Sequence, residues 1–505
     1  MARYTLDLDL NRVEGDLTFQ VETEDGQVAD ARCVGTTYRG FEQIMIARSP
    51  LDALVITPRI CGICSTAQLY AAVCALEQAW EVAPPTNAVH IRNATLMAEI
   101  IQSDLRQTFL FFTPDFCHVR YADLPVRDAV IAAFTPFQGW MYLETLRYSR
   151  RVTEIVALFA GQWPHSSHMV PGGVTVKATI RRIVDGQSII AEITRWVEQR
   201  ILGGDLEAWL ALAHGDEFEE WVMERPAAAL ALLSQAARFA GLSAMGFGSA
   251  HMLSYGAFIL PEPTHGQTHW MAPGALFGDR YPAVPLEPAE ISEHVRHSWF
   301  RPYPGGKHPF DGETVPDYQP ASDRYSWAKA PRYGGVAMQT GPLADLLVDG
   351  DPLITDLYRR EGGSAWLRQL ARVRRMTKLL LFLRQTLNQL AARSDEPHSV
   401  PALRDMERDG QGAGMLTAAR GALGHWVSIR NGVFDRYQII TPTSWNASPR
   451  DSNGVRGHWE ESLIGVPVTD PEDPLEIGHV IRSHDPCLVC TVHFLDSGSR
   501  VRFGV

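Results

Sequence analysis

The chain has no apolar run of the ~18–20 residues needed to cross a bilayer. Its longest candidate, "KLLLFLRQTL", is broken by charge. It has no basic excess either: 46 Lys and Arg stand against 58 Asp and Glu, a net charge of −12. Binding to a nucleic acid needs a basic surface, so that class of partner is excluded. The start, "MARYTLDLDL", lacks an apolar signal core, and we expect no export signal in this chain. No internal repeat and no low-complexity segment is present. Cysteine is scarce, with seven residues: Cys33, Cys61, Cys64, Cys74, Cys117, Cys487 and Cys490. An odd, small number in a long chain does not make a disulfide framework. What the chain does have is 45% apolar and 21% charged residues, the profile of a globular protein with a large core.

Periodicity organises the chain. The first 35 residues alternate apolar and polar around Asp25-Gly26, which predicts a β-hairpin. From about residue 41 the spacing turns helical, with helices expected over 65–80, 88–112, 121–160, 178–200, 226–240 and 363–394. Residues 297–342 are rich in Pro, Gly and Tyr and read as an irregular, packed loop. Over 421–443 the pattern returns to strands. Asn431-Gly432 there supplies the positive φ angles of a type I′ turn. A short helix is expected from Pro474 to His484, ending just before Asp485-Pro486-Cys487.

Four of the seven cysteines form two Cys-x-x-Cys pairs, in "PRICGICSTAQLYAA" and "DPCLVCTVH". Pro58 and Gly62 mark a turn, and Ser65 can cap the helix that follows. Thiolates at a helix N-terminus beside Arg59 are favoured as anions, hence as ligands. One reading is a structural Cys₄ zinc site. Four soft thiolates suit nickel and iron as well. A thioredoxin-like pair is disfavoured, because no βαβ pattern surrounds either motif. Zinc knuckles keep their pairs ~12–20 residues apart, whereas these lie at opposite ends of the chain. Loop closure adds only ~0.6 kcal/mol per doubling of length, so the separation is allowed. It is odd for a local staple and natural for a site at the centre of a large fold.

These motifs belong to a longer series. "NRVEGD" (11–16), "YRGFE" (38–42), "RICGIC", "YSWAKAPRYGG", "GPLADL", "ARGALGHW", "YQIITPTSWNASPRD" and "DPCLVCTVH" occur in that order. The series resembles the large, catalytic subunit of nickel–iron hydrogenases. With the periodicity, the resemblance implies an α+β, predominantly α-helical protein: a long central helix bundle with small peripheral β-sheets. One large unit over 1–505 is expected, with a β region at 1–40, a mainly helical part at 41–400, and the hairpin and metal-ligand segment at 415–493. Residues 494–505 would be a removable extension.

The resemblance also implies a site. It would hold one nickel and one iron, the iron bearing CO and cyanide. Cys61 and Cys487 would bind nickel terminally, and Cys64 and Cys490 would bridge the metals. Cys487 would take the proton from H₂ and Glu14 would relay it outward. Arg420 would stand over the open coordination face, Thr443 would donate to a cyanide nitrogen, and Asp485 would brace the surrounding hydrogen bonds. A magnesium ion would lie between Glu42, the carbonyl of Ile439 and His493. Each residue also has a plain structural reading: a solvated Glu14, a salt-bridged Arg420, a zinc-binding His493, a terminal strand in "VRFGV".

The expected reaction is H₂ ⇌ 2H⁺ + 2e⁻, in the uptake direction. Cys33, Cys74 and Cys117 are scattered and read as core residues, so no cysteines remain for an iron–sulfur relay. A small subunit carrying Fe–S clusters is therefore implied, with His165 in "GQWPHSSHMVPGGV" facing it. Maturation factors, among them a C-terminal endopeptidase cutting after His493, would complete the chain. Its location would be cytoplasmic, or membrane-associated through partners. Gln68 stands where many members have histidine, Ser103 (beside Asp104) where many have aspartate, and Ala419 where proline is common. Those departures lean toward the soluble uptake or H₂-sensing branches. Two alternatives follow: an H₂-sensing regulatory subunit, and a structural Cys₄ zinc protein.

Overall fold

A computed structural model describes residues 3–9, 12–13, 17–264, 267–400 and 408–487. Four long helices, Thr86–Arg106, Trp140–Ala160, Ile180–Trp196 and Ala365–Ala392, pack on one another at the centre. The last of them has 28 residues, ~42 Å of helix at 1.5 Å per residue. Ser364 caps it by accepting the Leu367 N–H at 3.1 Å. Its first half is buried all round, including four arginines. A buried guanidinium requires partners. Arg375 binds Asp104 (2.6 Å) and Asp345 (2.8 Å), and Arg374 binds Asp351 (3.1 Å). These pairs fix the rotation of the central helix relative to its neighbours.

The expected 121–160 helix is two helices, Arg127–Phe134 and Trp140–Ala160. Pro136 cannot continue the first. Gly139 then lies so close to the Ala133 carbonyl that no β-carbon fits, and the chain turns sharply. The 88–112 and 178–200 expectations correspond to helices that end in a wider π turn, at Gln107–Phe112 and Val197–Leu202.

Within the part expected to be mainly helical there is also a long antiparallel hairpin, Met252–Thr264 with Gln267–Leu276. Met252 through Tyr255 are buried on both faces, so no two-residue alternation betrays the strand. Part of the Pro-rich region forms a small sheet too, Ala330–Tyr333 beside Ile291–His294 beside Gly306–Lys307. The N-terminal strands Arg3–Asp9, Leu17–Glu24 and Gln27–Gly35 form an antiparallel sheet turning at Asp25-Gly26, both with positive φ.

The expected hairpin is Gly421–Arg430 with Val433–Ile440, turning at Asn431-Gly432. A third strand, Gly410–Ala418, completes that sheet. It begins "GQGAG", outside the strands expected from 421 onward, and those glycines are why it lies where it does. Gly410, Gly412 and Gly414 face the carbonyls of Ala79, Ala75 and Ala71 so closely that a β-carbon on any of them would overlap an oxygen. Glycine at every second strand position thus meets alanine at every fourth helix position. The Ser65–Trp80 helix rides directly on the strand, which sets the helix start at Cys64.

Most of the apolar interior runs as one cluster from Phe19 to Cys487, and a second, smaller cluster gathers Leu253, Tyr255, Trp426 and Trp445. Among the described residues no helix is long and apolar enough to cross a membrane.

Candidate metal centre

The first cysteine pair sits in the turn that opens the Ser65–Trp80 helix. Ser65 does not cap that helix. Glu99, from the Thr86–Arg106 helix, accepts the N–H groups of Thr66 (2.8 Å) and Ala67 (3.0 Å) instead. Ser65 Oγ accepts the His165 N–H at 3.2 Å. Burial pushes the Glu99 carboxyl up to about 7, with its backbone hydrogen bonds pulling the other way. Trp163 Nε1 donates to Glu99 at 3.2 Å, and His165 Nδ1 lies 2.8 Å from the Pro58 carbonyl. The 163–165 segment therefore wraps the cysteine turn, with the His165 ring against Gly62.

The second pair arrives from the Leu475–Ser483 helix. The carbonyls at its C-terminus are satisfied by side chains: Gln107 donates to the Arg482 carbonyl and Arg372 to that of Ser483 (3.2 Å). Arg368 Nε donates to Ser483 Oγ at 2.8 Å. Asp485 then takes a positive φ of 59° and turns the chain inward. The result is a contact between the two ends of the sequence: Cys61 Sγ lies 3.5 Å from Cys487 Sγ, both buried. Cys64 is buried beside them in the same turn. Cys490, His493, Glu14 and the 494–505 extension lie outside the described residues. Among the described residues no three His, Cys, Asp or Glu side chains form a group that could hold a metal.

Arg420 grips Asp485 twice, through Nη2 to Oδ1 (3.0 Å) and through Nε to the backbone carbonyl (3.0 Å). Burial alone would weaken its charge. Asp485 and the thiols of Cys487, Cys61 and Cys64 more than offset that and hold the guanidinium well above its ordinary pKa. Two atoms are left over: Arg420 Nη1 and Asp485 Oδ2 are buried without a hydrogen-bond partner. Buried polar atoms are rarely orphaned without reason. Soft thiols beside an unpaired cationic donor suit a thiolate-bound metal whose own ligands accept hydrogen bonds.

Arg420 is held by its neighbours. Arg375 donates to the Ala419 carbonyl. Gly421, at φ 121°, presses on Thr340 and Gly341 where no β-carbon fits. Asn446 bonds both the N–H and the C=O of Thr340, each at 3.0 Å. That ties the Arg420 turn to the short Pro442–Asn446 helix, in which Thr443 is buried. Asp104, beside the substituted Ser103, pairs with Arg375.

Glu42 Oε1 accepts the N–H of Ile439 at 2.8 Å, and Thr314 donates to Oε2. Glu42 thus meets the amide of Ile439, the residue whose carbonyl the resemblance assigned. Lys329 Nζ lies 3.9 Å from Glu42, 3.4 Å from Glu293 and 2.7 Å from Gln438 Oε1. A cavity of about 60 Å³ opens among Glu42, Ile439, Glu293 and Lys329.

The family profile described as nickel-dependent hydrogenase matches residues 39–132 and 137–493. The chain belongs to that family. The periplasmic [NiFeSe] hydrogenase large subunit of Desulfomicrobium baculatum is 32% identical over 516 residues, covering 96% of this chain and 94% of that one. The hydrogenase-1 large chain of Escherichia coli (strain K12) is 30% identical over 606 residues, covering 97% and 95%. The solved reduced Ni-Fe-Se hydrogenase of D. vulgaris Hildenborough superposes with a TM-score of 0.81 at 30% identity, over 97% of this chain and 100% of that one. The fold is accordingly the hydrogenase large-subunit fold, and the protein is an oxidoreductase acting on H₂.

Several buried charged residues of this hydrogenase escape sequence reading: Glu99, Arg372, Arg375, Lys329 and Asp115. All but Lys329 sit on helices and look like ordinary helix charges. Their signal would have been charge set within largely apolar stretches. Asp115 binds both Arg12, within the N-terminal motif, and Arg482 (2.7 Å), just before the C-terminal one.

Proposed function

We propose that the chain is the catalytic subunit of an H₂-uptake hydrogenase whose nickel–iron centre is bound by Cys61, Cys64, Cys487 and Cys490. The observation that carries this reading is the 3.5 Å contact of Cys61 with Cys487 beneath the unpaired Nη1 of Arg420. Such a centre, with CO and cyanide on its iron, would supply the polarisation needed for heterolytic cleavage of H₂. The protein's own residues do the rest. Cys487 Sγ takes the proton, and Glu14 passes it outward. Arg420 keeps a fixed positive charge over the open face, held in place by Asp485. Thr443 donates a hydrogen bond to a cyanide nitrogen.

Glu42, with Ile439 and His493, would bind magnesium near the C-terminus. The half-buried Glu42 and the buried Glu293 beside the cavity support a hard cation there. Electrons leave to a small subunit bearing Fe–S clusters, since the remaining cysteines, Cys33, Cys74 and Cys117, are scattered in the sequence. The segment at His165, wrapped over the cysteine turn, would face that subunit. Cleavage after His493 by a dedicated endopeptidase would remove residues 494–505 once the metals are in. The location would follow the partner: cytoplasmic, or membrane-associated through it.

Infrared spectroscopy of the purified, matured protein, with nickel and iron analysis, tests the reading. Bands of metal-bound CO and cyanide with one nickel per chain are expected. Zinc in place of nickel, and no such bands, would sink it. Intact mass tests the loss of 494–505. A second reading, an H₂-sensing subunit, draws on Gln68 in the helix after Cys64. Rapid reduction of a dye under H₂ favours the enzyme, and binding without sustained turnover favours the sensor.

A further inference from the structure

The helices Trp140–Ala160 and Ile180–Trp196 pack side by side, and each turns one stripe to solvent. They run antiparallel. Arg151 pairs with Glu192 at 3.0 Å, while Glu144, two turns earlier, accepts from Trp196 (2.8 Å) and Arg200 (3.1 Å). Side chains three or four positions apart share a helix face. On the first helix that face exposes Leu143, Leu146, Arg147, Arg150 and Ala157. On the second it exposes Arg181, Val184, Ser188, Ala191 and Arg195.

The seam between the stripes is a groove. Three depressions of about 630, 580 and 380 Å³ adjoin along it, the first two sharing Arg151 and Glu154, the last two Arg147 and Glu192. Its glutamates are already neutralised: Arg151 holds Glu154 and Glu192, and Arg200 holds Glu144. Asp185 is the remaining acid lining it. Among the described residues no ion pair involves Arg147, Arg150, Arg181, Arg182 or Arg195. Residues 140–202 hold eight Lys and Arg against five Asp and Glu, whereas the rest of the chain holds 38 against 53. The face is thus a positive island on an acidic protein, and its field turns it toward an anionic surface.

One end of the island is apolar. Phe137 is 75% exposed, Leu143 47% and Leu146 42%. Phe137 holds a φ of 60°, uncommon for a bulky residue, and its ring lies 5.2 Å from that of Tyr142, one turn before Leu146. A protein partner would require a contiguous apolar core within ~800 Å² per side. Here the large apolar side chains are few and interleaved with guanidinium groups. Leucine beside arginine on one stripe suits a surface that offers phosphates above and hydrocarbon just beneath.

We propose that this two-helix face docks directly on an anionic phospholipid membrane. The free arginines take headgroup phosphates along the groove, and Phe137, Leu143 and Leu146 enter the boundary between headgroups and acyl chains. Contact of this kind needs no spanning helix, and the described residues contain none. It holds the hydrogenase at a membrane by its own surface, in addition to any partner.

Vesicle flotation of the assembled holoenzyme tests this. At low salt the protein is expected to float with mixed phosphatidylglycerol and phosphatidylcholine vesicles, to stay behind with phosphatidylcholine alone, and to be released by high salt. Each arginine near an anionic surface contributes about 5-fold in affinity, so Arg147→Gln combined with Arg150→Gln should bind about 25-fold more weakly. Leu143→Ser combined with Leu146→Ser should also bind more weakly. Arg430→Gln, which removes an exposed arginine from the Gly421–Arg430 strand, should bind as wild type does. The arginine variants should keep the wild-type melting temperature and dye reduction in solution. A wild type that does not float, equal binding to both kinds of vesicle, or undiminished binding by the double arginine variant overturns the proposal. Loss of a subunit from that variant also overturns it, by making the face a protein interface.

Discussion

Gly412 lies against the carbonyl of Ala75 so closely that no β-carbon fits between them. The Ser65–Trp80 helix, which Cys64 precedes, is therefore seated on the bare glycine positions 410, 412 and 414 of a strand. Gly412→Ala should force helix and strand apart, at a cost of about 1–3 kcal/mol. The expected outcome is a lower melting temperature together with reduced nickel occupancy, measured on the same preparation. Undiminished nickel in a destabilised variant would show that the strand supports the fold and not the site.

Arg420→Lys keeps the charge but cannot reproduce the two parallel bonds to Asp485. Charged hydrogen bonds contribute about 1.5–3 kcal/mol, so H₂-dependent dye reduction should fall about 10- to 100-fold. Nickel content should be unchanged. Activity equal to wild type would remove Arg420 from the machinery.

Burial pushes the Glu460 carboxyl up to about 7, against the pull of the Tyr325 hydroxyl and the Cys33 N–H. An unfolded glutamate titrates near ~4.3. The folded state therefore holds the proton more tightly. The stability linked to it is full below that value and is lost as pH rises toward 7. Glu460→Gln should flatten the fall in melting temperature between about pH 5 and pH 8, by a margin on the order of 1–3 kcal/mol. Glu99 and Glu293, also raised to about 7, leave a residual slope. Parallel curves for wild type and variant would contradict the assignment.

Asp115 behaves in the opposite sense. Burial would raise its carboxyl, but Arg482, His479 and Arg12 more than offset that and hold it below the ordinary range. Its contribution is present above the ordinary carboxylate pKa and lost as pH falls through the lowered one. Asp115→Asn leaves Arg12 and Arg482 without their shared counter-charge, and should cost about 3–5 kcal/mol at neutral pH in denaturant unfolding. The difference from wild type should shrink in acid.

Much of this was legible in the sequence because it rests on local signals. Asn431-Gly432 set a hairpin turn, and the long apolar periodicities set the central helices. The motif order pointed to the family and, through it, to the cysteines. What stayed hidden was set by tertiary contact. The Gly410–Ala418 strand was not among the expected strands, because its glycines answer to a helix more than three hundred positions earlier. Ser65 looked like a cap because the true cap, Glu99, comes from another helix. The Met252–Leu276 hairpin showed no alternation because both its faces are covered at the start. Of Gln68, only the substitution was visible, since His425, 2.8 Å from its amide oxygen, lies on a strand that meets it only in the folded chain.

The meeting of Cys61 with Cys487 also fixes when the protein can become an enzyme. The two sulfurs leave the ribosome 426 positions apart, and the four central helices between them can collapse before the second one emerges. A chain halted before Cys487 would own those helices and only one partner of the contact, so the meeting of the sulfurs comes after the burial of much of the interior.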